Sequence, residues 1–67
     1  MKSIVELINE LKGMDALGFA ERFELKSLDV AYSVKLDFDN WLRRCVEPGH
    51  QFVDLSEAWS RYGKSFE

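Results

Sequence analysis

Three side chains in the second half of the chain have the types that chemistry uses: Cys45, His50 and Asp54. Their spacing, C-x4-H-x3-D, is not a standard zinc pattern, and only the first two are strong zinc ligands. Cys45 also falls on the apolar side of a helical stretch. As a nucleophile and base, Cys45 and His50 would need their reacting atoms about 3 Å apart, and Pro48–Gly49 breaks the chain between them. The expectation is a buried cysteine, a loop histidine and no bound metal.

Asp37, Asp39 and Asn40 raise the question of calcium. An EF-hand loop needs oxygen ligands at its first, third and fifth positions, glycine at the sixth and glutamate at the twelfth. Counted from Asp37, those last three places hold Trp41, Leu42 and Pro48. The glycines are scattered, and no glycine-rich phosphate loop occurs. Twelve carboxylates offer no preferred acid–base pair. No catalytic residue and no cofactor is expected, and the chain reads as a non-enzyme.

The run Trp41-Leu42-Arg43-Arg44 interleaves aromatic and basic residues, and Arg61 and Lys64 could extend it. Such a patch can meet phosphates. However, the chain carries a formal charge of −3, whereas nucleic-acid binders usually concentrate positive charge. A partner protein is the better match, because Arg and aromatic residues are what binding hot spots use. The candidate partner-binding residues are Arg43, Arg44, Lys35, Phe52 and Phe66. Lys35 would blunt an open strand edge, and the two phenylalanines fit least well in an internal core.

These residues sit on a chain of 67, room for one domain spanning 1–67. The sequence is 46% hydrophobic with one proline, which marks a globular chain rather than a disordered one. A single cysteine cannot form an internal disulfide and fits a reducing compartment. The charged and polar residues after Lys2 break any export signal, and no apolar run is long enough to span a membrane. The expectation is a cytoplasmic, complete small gene product. Five Phe, two Trp and two Tyr supply burial area, but the margin for so small a core is thin, so a partner or a second copy of the chain would help.

Ser3 and Glu6 make a capping box for a helix over 3–12, with Ile4, Ile8 and Leu11 on one face and Gly13 as its stop. Over 14–22 the spacing favours a short helical turn capped by Asp15, with strand entry near Phe19 as the alternative. Val30, Tyr32, Val34, Leu36 and Phe38 alternate with more polar residues, which predicts a strand. Phe23 and Leu25 predict its partner, giving a hairpin of 22–27 and 30–38 with Tyr32, Val34 and Leu36 covered and Ser33, Lys35 and Asp37 open. A helix is predicted over 39–47, capped by Asp39 or Asn40 and stopped by Pro48–Gly49. Residues 50–53 read as an extended connection. Asp54 and Glu57 cap a last helix, with Glu57 paired to Arg61 and Gly63 as its end.

The predicted architecture is α+β: a central antiparallel hairpin packed against three or four short helices, in the order α-(turn)-β-β-α-α. Ile8, Leu11, Val34, Leu36, Trp41, Cys45, Leu55 and Trp59 are the predicted core. The function read from these features is a small protein–protein interaction module, an adaptor, inhibitor or regulator, binding a partner protein or a second copy as a homodimer. A nucleic-acid-associated regulator using Arg43 and Arg44 is one alternative, and a structural subunit of a larger assembly is another.

Overall fold

Each helix begins where a short polar side chain can satisfy the first free N–H groups. A computed structural model describes residues 1–65. Ser3 Oγ accepts from the Glu6 N–H at 3.3 Å and starts α1, Ile4–Lys12. Asp15 Oδ1 accepts from the Gly18 N–H at 2.7 Å and starts α2, Ala16–Phe23. Ser27 Oγ accepts from the Val30 N–H at 3.2 Å and starts α3, Leu28–Arg44. Asp54 Oδ1 accepts from the Glu57 N–H at 2.9 Å and starts α4, Leu55–Lys64, while Glu57 Oε1 reaches back to the Val53 N–H.

Two strands complete the fold. β1, Lys2–Ser3, pairs antiparallel with β2, Gln51–Phe52, in the register Lys2 to Phe52 and Ser3 to Gln51. β1 runs straight into α1, and β2 lies just before the cap of α4, so this pairing ties the segment that enters α1 to the segment that enters α4. Lys2 also forms an ion pair with Glu10 of α1. A turn at Glu47–His50 leads the chain into β2. The His50 N–H donates to the Glu47 carbonyl at 3.0 Å, and Gly49 takes φ +87°, which glycine adopts without strain.

The result is a small compact α+β domain with four helices and a two-stranded sheet, in the order β-α-α-α-β-α. The predicted hairpin is replaced: residues 22–27 are the end of α2 and a loop, and residues 30–38 lie inside α3. Ala31, Phe38 and Leu42 are buried and Val34 and Trp41 half-buried, a helical stripe at intervals of three and four. The apparent alternation mixed two faces of this helix. Tyr32 and Leu36, expected to be covered, are 67% and 63% exposed. Of the predicted helix over 39–47, residues 39–44 are the last part of α3 and residues 45–47 lie beyond its end, so Asp39 and Asn40 are interior positions rather than caps. Gly63 lies within α4 and does not end it.

Phe19, Phe38 and Phe52 are fully buried, with Leu7, Leu11, Leu42 and Leu55 around them. Their rings join a continuous aromatic core: Trp59 stacks on Phe23 at 4.3 Å and meets Phe19 and Phe38 edge-on at 5.6 and 5.4 Å. Tyr62 lies 5.0 Å from Phe38 and 5.6 Å from Trp41. Ile8, Leu11 and Leu55 are buried as expected, and Val34, Trp41 and Trp59 are half-buried against the core. Leu36 and Cys45 are corrections to the predicted core. Leu36 faces away from it, and Cys45, the C-cap of α3, is exposed at the end of the helix. No helix among the described residues is long and apolar enough to cross a membrane.

Candidate functional site

α3 is apolar on two sides, and only one of them is used by the core. On the outer side Leu28, Tyr32 and Leu36 follow one another at four-residue spacing, 48%, 67% and 63% exposed. Such residues form a ridge along a helix. Beside it runs a groove of about 430 Å³ against the end of α1, lined by Leu11, Lys12, Lys35 and Asp39 as well as Tyr32 and Leu36. Charged side chains therefore flank the apolar ridge.

A second feature lies between the C-terminal ends of α3 and α4. Asp37, Asn40, Trp41, Arg44 and Cys45 line one wall of an open cleft of about 780 Å³, and Arg61, Lys64 and Ser65 line the other. The cations stand in the last turns of their helices, where they offset the partial negative charge of the carbonyl ends. Arg61 is held in place: Nη1 donates to His50 Nε2 at 2.7 Å, and its guanidinium lies 5.5 Å from the centre of the Phe52 ring. At the rim, Tyr62 donates to the Asp37 carboxylate. Burial, reinforced by that hydrogen bond and by the charge of Asp37, pushes the Tyr62 phenol above the ordinary tyrosine range.

The residues singled out from the sequence are dispersed by this geometry. Arg44 faces the cleft, whereas Arg43 is turned away into an ion pair with Asp39 at 3.1 Å. Lys35 belongs to the groove beside α1 and sits on a helix, so there is no strand edge for it to blunt. Phe52 is fully buried in the core and has no surface to offer. Phe66 lies outside the described residues. Cys45, His50 and Asp54 have separate places: an exposed thiol in the cleft wall, the partner of Arg61, and the cap of α4. Arg61 and Lys64 line the same cleft as Arg44, and Arg43, which headed the basic patch read from the sequence, does not. The ridge of Leu28, Tyr32 and Leu36 escaped sequence reasoning because two of its members were assigned to a covered strand face. Compared with known proteins, the chain matches no family model, no curated protein and no solved structure.

Proposed function

We propose that the chain is a small non-catalytic module that binds another protein, as an adaptor, inhibitor or regulator, through the outer face of α3. One observation carries this reading: the exposed ridge of Leu28, Tyr32 and Leu36. Contiguous apolar surface of this kind, rimmed by polar groups, marks interaction sites. Tyr32 is the natural anchor, since a tyrosine brings a large contact area and a hydrogen-bonding tip. Lys12, Lys35 and Asp39 supply the charged rim that fixes orientation. A second copy of the chain and a larger protein are both served by the same face. A cytoplasmic site of action belongs to this proposal and rests on the free, exposed Cys45 thiol, which suits a reducing compartment.

The test compares the wild type with Leu36→Glu. Light scattering over a range of concentrations measures self-association, and affinity capture from host extract identifies any other partner. The wild type either dimerises or captures a defined protein, and Leu36→Glu abolishes that association while melting at the same temperature. An association that survives Leu36→Glu and Tyr32→Ala unchanged would place the contact elsewhere and defeat the reading.

A further inference from the structure

We infer that the cleft between the ends of α3 and α4 is a binding site for a nucleoside phosphate, with the phosphate among Arg44, Arg61 and Lys64 and the base against Trp41. Three cations line one cleft in a chain whose formal charge is −3. The single carboxylate in the lining, Asp37, already accepts the Tyr62 hydrogen bond. Among the described residues Arg44 and Lys64 form no ion pair, so their charges remain for a ligand. Arg61 is preorganised by His50 and Phe52, which lowers the cost of fixing it on binding.

The chemistry of the walls selects the ligand class. A phosphate concentrates its charge at one point and accepts several charge-assisted hydrogen bonds, which suits cations gathered on one cleft. Trp41 is half-buried, and its remaining surface offers an indole wall on which a base can stack, a contact worth about 1–3 kcal/mol in single-strand binders. A volume of about 780 Å³ lies in the range of small-ligand sites. An acidic peptide would spread separate carboxylates along an extended chain, with no use for the indole. The acidic balance of the remaining surface limits a longer polyanion to the nucleotide seated in the cleft. The ligand is thus either a free nucleotide or one nucleotide unit of a single strand.

The protein carries its own reporter, because Cys45 is the sole thiol and lines the cleft. Its alkylation by iodoacetamide is followed with ADP, with short oligothymidylate and with polyglutamate. ADP is expected to slow alkylation several-fold, and the effect should shrink between about 50 and 200 mM salt as phosphate contacts are screened. Arg44→Ala and Lys64→Ala, both at exposed positions, should weaken this protection roughly tenfold or more, whereas Lys26→Ala, outside the cleft, should leave it intact. Protection by ADP alone assigns the free nucleotide, and protection by the oligonucleotide as well assigns the single strand. No protection by either overturns the inference. So does equal protection by polyglutamate, which would reduce the cleft to a simple charge patch, or protection that persists in both cleft variants.

Discussion

Tyr62 of α4 donates its phenol hydrogen to the carboxylate of Asp37 on α3, a partner 25 positions earlier in the chain. This bond latches the last helix to the longest one at the rim of the cationic cleft. It also joins stability to pH. The folded protein holds the Tyr62 proton more tightly than the unfolded chain, where a phenol loses it near pH 10. The stabilisation is therefore complete below about pH 10 and is lost as pH rises above that point.

Tyr62→Phe should lower stability by about 1 kcal/mol near neutral pH, the usual net worth of such a hydrogen bond. Asp37 is exposed and rehydrates, so the loss stays modest. Denaturant melts of the two proteins at neutral pH and above pH 10 check both parts. The difference between wild type and variant should narrow in alkali, and a gap that widens there would reverse the sign argued above.

Glu24 ends α2 in the left-handed region at φ 57°, where its own N–H and that of Leu25 both reach the Ala20 carbonyl. A Cβ costs about 1–2 kcal/mol there, partly balanced by the greater freedom of glycine in the unfolded chain. Glu24→Gly should therefore stabilise the protein by about 0.5–1 kcal/mol, seen as a higher denaturation midpoint with an unchanged slope. A lower midpoint would mean that the Glu24 side chain has a role beyond this geometry.

Gly18 has a reason that only the cap reveals. A Cβ at this position would stand 3.1 Å from Asp15 Oδ1, the atom that accepts the Gly18 N–H. Alanine would raise helix propensity by about 1 kcal/mol, but disturbing the cap costs about 0.5–2 kcal/mol. Gly18→Ala should destabilise the wild type and stabilise an Asp15→Ala background. The same shift in both backgrounds would show that the two residues are not coupled.

These cases also show what the sequence discloses. Ser3, Asp15 and Asp54 were legible as caps because each acts within three residues of itself, and the helices they start appear at those places. α3 was not legible as one helix. Its apolar residues lie on two faces, so Val30, Tyr32, Val34, Leu36 and Phe38 imitate the alternation of a strand. A local sign did exist: no glycine or proline occurs between Gly18 and Pro48, and Ser27 with Asp29 suits a helix start as well as a turn. The β1–β2 pairing was beyond local reading, since Lys2 and Phe52 meet across almost the whole chain and each strand is two residues long. Arg44, Arg61 and Lys64 were legible as a basic group, but their shared cleft depends on how α4 packs on α3.

The central claim is that the outer face of α3 is the contact surface, and amide chemical-shift mapping of the complex tests it most directly. The complex is the homodimer if the chain self-associates and the captured partner if it does not. The predicted result is a set of perturbations gathered on Leu28, Tyr32 and Leu36 and on Lys12 across the groove, absent in Leu36→Glu. Perturbations confined to Arg44, Arg61 and Lys64, with the ridge unchanged, would contradict it.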